Sequence, residues 1–150
     1  MSFARSIKAD ISRVYSMIGI VGDNWCTRGS SKTKDGAAHP DMQINIMNAR
    51  AIALVAQDRD RWALAGDQLY LDLDLSVANL RAGTRLAIGS AILEVTSLPH
   101  TGCKKFTERF GLDAMKFVNS DLGRDLRLRG HNSLVVQAGV IRPGDMVSKR

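Results

Sequence analysis

The sequence predicts a mainly β domain: a small barrel carrying helical insertions. Three observations predict it. Apolar and polar residues alternate over 69–75, the period of a strand that buries one face, and 85–96 reads as a β-hairpin about Gly89-Ser90. Glycine- and proline-marked turns punctuate the C-terminal two-thirds at short intervals, as in small barrels. The chain has 150 residues, of which 45% are hydrophobic, so it is the length of one domain and can build a real core.

Taken in order, Phe3, Ile7, Ile11, Val14, Tyr15 and Ile18 recur at helical spacing and predict an amphipathic helix over 3–18, ended by Gly19 and Gly22. On this reading residues 1–18 form an N-terminal helix and residues 19–150 the barrel. Residues 23–41 are rich in Gly, Ser, Thr, Lys and Asp and read as a long loop. Gln43 to Met47 reads as a strand, Asn48 to Gln57 as a buried helix, and Asp60 to Leu64 as a further helical turn. Leu69, Leu71, Leu73 and Leu75 alternate with Tyr70, Asp72 and Asp74, predicting a half-buried strand. Arg85–Ile88 and Ala91–Thr96 flank Gly89-Ser90, which suits a type II′ hairpin. Cys103 to Phe110 reads as a short helix closed by Gly111, and Asp113 to Asn119 as a second. Ser133 to Gln137 and Met146 to Ser148 read as strands, the latter after the turn Arg142-Pro143-Gly144-Asp145.

Composition excludes several classes. The longest run without a charged residue is Gly130 to Ile141, 12 residues, too short to cross a bilayer. Met1-Ser2-Phe3-Ala4-Arg5 carries no apolar leader pattern. Two cysteines make no disulfide framework, so a cytoplasmic protein with reduced thiols is expected. The net charge is +6, yet residues 1–66 and residues 67–150 each carry +3 and no basic block stands out. Aromatics are 5%, few for stacking single-stranded bases. The local excess lies at 104–129, with seven basic residues against four acidic ones. It suits a small anionic ligand better than nucleic acid.

Most of the chemistry gathers at Pro99-His100-Thr101-Gly102-Cys103-Lys104-Lys105-Phe106. Gly102 permits a tight turn or close approach of a ligand. Cys103 falls at the start of a predicted helix, and Lys104 and Lys105 follow it; each feature favours a thiolate. Such a sulfur attacks a substrate, carries a sulfane sulfur as a persulfide, or ligates a soft metal. The plain alternative is a buried cysteine acting as a small hydrophobe. His100 reads either as a base or supporting partner beside the thiol, or as a packing residue. Cys26 lies in the polar loop with nothing to activate it. No C-x-x-C pair exists, and His39, His100 and His131 are scattered, so zinc is not supported. The G-x-S-x-G and G-x-x-x-x-G-K-[ST] patterns are absent.

Four stretches resemble the MOSC family, named after the C-terminal domain of molybdenum-cofactor sulfurase. They are Gly19-Ile20-Val21-Gly22-Asp23; Gly66-Asp67-Gln68-Leu69 with Leu73-Asp74-Leu75; Gly83 through Gly89 and Leu93-Glu94-Val95-Thr96 to Thr101-Gly102-Cys103-Lys104-Lys105-Phe106; and Leu128-Arg129-Gly130-His131-Asn132 with Gly139 and Pro143-Gly144-Asp145. The resemblance implies a MOSC-type β-barrel in which Cys103 is the functional cysteine. In related proteins that cysteine binds the molybdenum of molybdopterin, or is proposed to carry sulfur for metal–sulfur cluster assembly. Small bacterial members resemble reductases of N-hydroxylated compounds.

Carried onto this chain, the resemblance implies Cys103 as metal ligand, with His100 and Thr101 as accompanying catalytic candidates. It implies Lys105, Arg109 and Arg129 for the cofactor phosphate, with Gly102, Asp67 and Asn132 also at the cofactor. Pyridoxal phosphate appears in family descriptions through the sulfurase's other domain, and no Schiff-base lysine is assigned here. A reductase role would need electrons from a partner protein, and a sulfur carrier would need a sulfur donor. A non-enzymatic barrel that binds an anion or partner through the basic region is a third reading. Related proteins begin with a strand well before their G-x-x-G-D stretch. The 18 residues ahead of Gly19 read as helix, so the barrel is expected to lack that first strand, or to take it from a partner chain or a second copy.

Overall fold

A computed structural model describes the backbone of residues 4–6 and the whole of residues 12–150. Its strands are β1 (Ala4–Ser6), β2 (Ser12–Tyr15), β3 (Gly19–Ile20), β4 (Ile44–Asn48), β5 (Leu69–Leu71), β6 (Arg85–Ile88), β7 (Ala91–Val95), β8 (His131–Gln137), β9 (Gly139–Ile141) and β10 (Val147–Lys149). Its helices are α1 (Trp25–Arg28), α2 (Ala49–Ala56), α3 (Lys104–Phe110), α4 (Leu112–Asn119) and α5 (Asp121–Asp125), with 3₁₀ turns at Pro40–Met42 and Arg59–Ala65. This is the mainly β class with helical insertions.

Seven strands form one curled sheet in the order β1-β5-β4-β8-β7-β6-β10. Only β4 and β5 run parallel in it; α2 and the 3₁₀ turn make their crossover. A second sheet has the order β3-β2-β9. The two sheets close over one core: Val14, Ile20 and Ile141 from the smaller meet Ile44, Ile46, Leu69, Leu71, Leu86 and Leu93 from the larger. Behind the large sheet, Met47 and Tyr70 pack with Ile52, Trp62 and Ala49, Ala51 and Ala56 of α2 in a second core. Thus β5 is apolar on both faces, and all three of its residues are buried. Gly89 has φ +56, as the hairpin turn requires, and a side chain there would strike the Val140 carbonyl.

The N-terminal helix is not what forms. Residues 4–6 pair with β5 and residues 12–15 pair with β9, both as antiparallel strands. The part of that expectation at residue 3 and over 7–11 lies outside the described residues. Over 12–15 burial alternates, with Ser12 and Val14 inward and Arg13 and Tyr15 outward. Helical spacing of the larger residues is overridden by the pairing that β5 and β9 offer. Two strands therefore precede Gly19, and the expectation of a missing first strand, with a partner-supplied one, falls with the helix. Gly19 opens β3 instead of ending a helix.

Smaller corrections follow from packing. The half-buried strand expected over 69–75 stops at Leu71. The loop at 23–41 holds α1, whose buried Trp25 donates from Nε1 to the His39 carbonyl at 3.2 Å. Strand β9, three residues long, is too short to announce itself in sequence, and helix α5 carries a single apolar side chain, Leu122. No helix among the described residues is long and apolar enough to cross a membrane.

Candidate functional site

The site is built where β7 has ended and α3 has not begun. Residues 97–102 cross this gap without regular structure, so side chains from other elements must hold them. On β8, Asn132 is fully buried and donates from Nδ2 to the carbonyls of Leu98 (3.0 Å) and Pro99 (3.3 Å). Its Oδ1 accepts from Asn45 Nδ2 at 2.6 Å. Just before β5, Asp67 accepts from His100 Nε2 at 3.0 Å. On α4, Asn119 accepts from the Gly102 N–H at 2.8 Å and donates to the Gly102 carbonyl at 3.0 Å. Cys103 then caps α3, with its thiol exposed and unused in any capping bond. The buried-hydrophobe alternative for Cys103 does not hold.

Asp67 is the electrostatic centre of this region. Its carboxylate has no solvent exposure and accepts from Arg129 Nη1 at 2.6 Å. Arg129 Nη2 donates to the Ala65 carbonyl, its guanidinium lies 5.1 Å from the centre of the Phe106 ring, and its Nε is buried without a partner. Burial by itself raises the pKa of Asp67; the Arg129 charge and the His100 bond outweigh it and hold the carboxyl below its usual range. An ionised carboxylate only accepts, so His100 Nε2 carries the proton in that bond, a tautomer assigned from the bonding pattern. Burial pushes the His100 pKa down, against the pull of Asp67, and Arg129 and Lys32 add to the depression. Neutral His100 therefore presents an unprotonated Nδ1.

His131, buried on β8, behaves alike. Its Nε2 donates to the Leu75 carbonyl at 2.7 Å, and burial lowers its pKa more than that bond raises it. Both histidines bind a proton more readily in the unfolded chain than in the folded one. Folding stability therefore rises with pH across the gap between their folded and unfolded values, and is lost as pH falls below about 6.5, the unfolded value. Each contributes up to about 1.4 kcal/mol per pH unit in that window. Urea unfolding at pH 7.5, 6.5 and 5.5 should show wild type losing stability on acidification and His131→Gln losing less. Parallel slopes would remove His131 from this account.

The sequence-derived candidates separate into two sets. His100, Asp67, Arg129, Asn132 and Gly102 converge around the 98–102 segment. Asp67, Arg129 and Asn132, expected to face a cofactor, instead direct their hydrogen bonds into the protein interior. The cause is burial: each exposes 9% of its surface or less and spends its polar atoms on internal partners. Thr101, Lys105 and Arg109 are exposed, as Cys103 is. Arg109 Nη1 reaches the Leu64 carbonyl at 2.8 Å, tying α3 to the 3₁₀ turn before β5. Cys26 is exposed on α1, as its loop position suggested.

Asn119 and Asn45 escaped the sequence reading, and Gln68 entered it only as part of a MOSC-like stretch, with no role. Gln68 Nε2 donates to Asp23 at 3.1 Å, and its Oε1 accepts from the Asn45 N–H at 2.8 Å. The chain Asp23–Gln68–Asn45–Asn132–Leu98 thus joins all four MOSC-like stretches. The one available signal was at Asn45, an amide side chain inside an otherwise apolar strand. A cavity of about 700 Å³ lies elsewhere, between α2, residues 72–75 and α4, and Cys103 does not line it.

No protein-family model matches the chain, and no curated protein matches its sequence. Solved structures do. YiiM from Escherichia coli superposes with a TM-score of 0.64 over 100% of this chain and 70% of its own, at 18% identity. YuaD from Bacillus subtilis gives 0.61 over 98% and 94%, at 17% identity. The fold is that of YiiM and YuaD. YiiM from Geobacillus stearothermophilus gives 0.56 at 21% identity over 73% of this chain, which spans 55% of that protein. At these identities the likeness is one of fold, and it is consistent with the MOSC resemblance.

Proposed function

We propose that this chain is a MOSC-type domain that takes a molybdenum cofactor on the Cys103 thiol and serves in the reduction of N-hydroxylated compounds. One observation carries the reading: an exposed, uncommitted thiol stands at the end of a segment that Asn132, Asp67 and Asn119 hold from three sides. The donor chemistry fits, since a cysteine sulfur is the donor a soft metal selects. Exposed Lys105 and Arg109 follow on the same helix and suit the cofactor's phosphate. Arg129 does not fit that role, because Asp67 and the Ala65 carbonyl already occupy its guanidinium. When bound, the group supplies the redox centre. The chain's residues hold it and keep His100 neutral with Nδ1 unprotonated, and electrons come from a partner protein.

The test is metal content. Protein from a host that makes the cofactor should carry molybdenum and pterin, and Cys103→Ser should reduce both to background. Wild type without molybdenum, or a Cys103→Ser variant that retains it, sinks the reading. Exposure of the thiol favours one second reading, a sulfur carrier. There the thiolate attacks the outer sulfur of a donor persulfide, the new S–S bond forms as the old one breaks, and the donor leaves as its thiolate. A molybdenum-free protein that gains roughly 32 Da on Cys103 from a sulfur donor would select it.

A further inference from the structure

We infer that Asn119 is a positioning residue for Cys103, fixing the direction in which the thiol is presented. This rests on the reading of Cys103 as the functional thiol, and it concerns a residue that neither the sequence nor the family resemblance marks.

Peptide units are planar, so holding one polar atom of a unit orients the whole unit. Asn119 Oδ1 holds the Gly102 N–H, which belongs to the 101–102 unit. Asn119 Nδ2 holds the Gly102 carbonyl, which belongs to the 102–103 unit. The Cys103 carbonyl accepts from the Thr107 N–H at 3.0 Å and from Thr107 Oγ1 at 3.2 Å, which fixes the next unit. Three consecutive peptide planes around Cys103 are therefore set, and only rotation about its side-chain bond remains to place the sulfur.

The clasp itself is rigid. Asn119 ends α4, and its Nδ2 also reaches Met115 Sδ at 3.3 Å, one turn earlier. Gly102 lies flat against that helix: a Cβ there would come within 3.0 Å of Val118 and 3.3 Å of Asn119. Upstream, Asn132 and Asp67 hold residues 98–100, so slack cannot enter from that side. One amide side chain thus decides whether the last link before the thiol is fixed. Without it, Gly102 is the most permissive residue available, and Cys103 swings about it.

Two exposed cysteines make the test internal, because Cys26 reports reagent and solvent while Cys103 reports positioning. Metal-free protein is alkylated with iodoacetamide, and each site is followed by mass spectrometry. Asn119→Ala removes both bonds. It should lower the Cys103-to-Cys26 rate ratio measurably, because a thiol no longer held outward spends part of its time turned from solvent. Asn119→Asp still accepts from the Gly102 N–H but repels its carbonyl, and should lower the ratio less. Tm is measured on both, and the variant that keeps the wild-type Tm is the one read. An unchanged or raised ratio in that variant overturns the inference. Molybdenum content is scored separately on wild type. Its absence would sink the proposed function while the alkylation ratio still judged Asn119.

Discussion

Asp67→Ala is expected to destabilise the protein by about 3–5 kcal/mol at pH 7, the cost of leaving one member of a buried ion pair alone. The partner left behind is Arg129, itself 7% exposed, pinned by the Ala65 carbonyl and covered by Phe106. Its guanidinium cannot swing into water without undoing the packing of α3. Asp67→Asn keeps the shape and one acceptor and should cost less, so the difference between the two variants measures charge apart from packing. The pH dependence has a definite sign. The folded carboxyl sits below its ordinary value of about 3.9, so its contribution is full above that value and is lost as pH falls beneath it. Wild type and Asp67→Ala should therefore converge in acid and diverge toward neutrality. Chemical denaturation at pH 7 and pH 3 reads both. A loss under about 1 kcal/mol at pH 7, the size of an exposed pair, would mean that Arg129 finds water after all.

Gly130→Ala is expected to cost roughly 2–5 kcal/mol, combining left-handed strain with overpacking. Gly130 has φ +107, a conformation side chains avoid. A methyl group there would meet the Ile46 carbonyl and the backbone of Met47. Those atoms belong to β4, the strand shared by both cores, so the sheet must move and not merely a side chain. Gly130 also separates Arg129 from His131 and Asn132, so the displacement should reach the 98–102 segment. Thermal unfolding gives the stability term, and Cys103 alkylation reads the displacement. Gly144→Ala is the control: its φ is also positive, but a Cβ meets nothing within 4 Å. Equal losses in the two variants would show that strain alone operates and close approach adds nothing.

These two residues mark where sequence reading reaches and where it stops. Local signals are short-range physics, and they carried far. Gly89-Ser90 placed a hairpin because only a positive φ closes it. The run 48–57 read as a helix from its own residues, and in the structure Asn48 caps it, accepting from the N–H groups of Arg50 and Ala51. Cys103 stood out because a strand end, a glycine and two lysines surround it within a few positions. The N-terminal segment failed for the opposite reason. Its larger residues fit a helical period, and nothing local announces that β5 and β9 each have an edge to fill.

The candidate site divides the same way. The sequence by itself determined the barrel class, the hairpin and the helices after Cys103. Only the tertiary structure decided what Asp67, Arg129, Asn132 and Asn119 do. Asp67 and Arg129 are 62 positions apart and Asn45 and Asn132 are 87 apart, and no local pattern states that such residues touch. A charged or amide side chain has the same sequence signature whether it faces a ligand or the interior. Burial makes the difference, since a polar group removed from water must find its partner inside the protein.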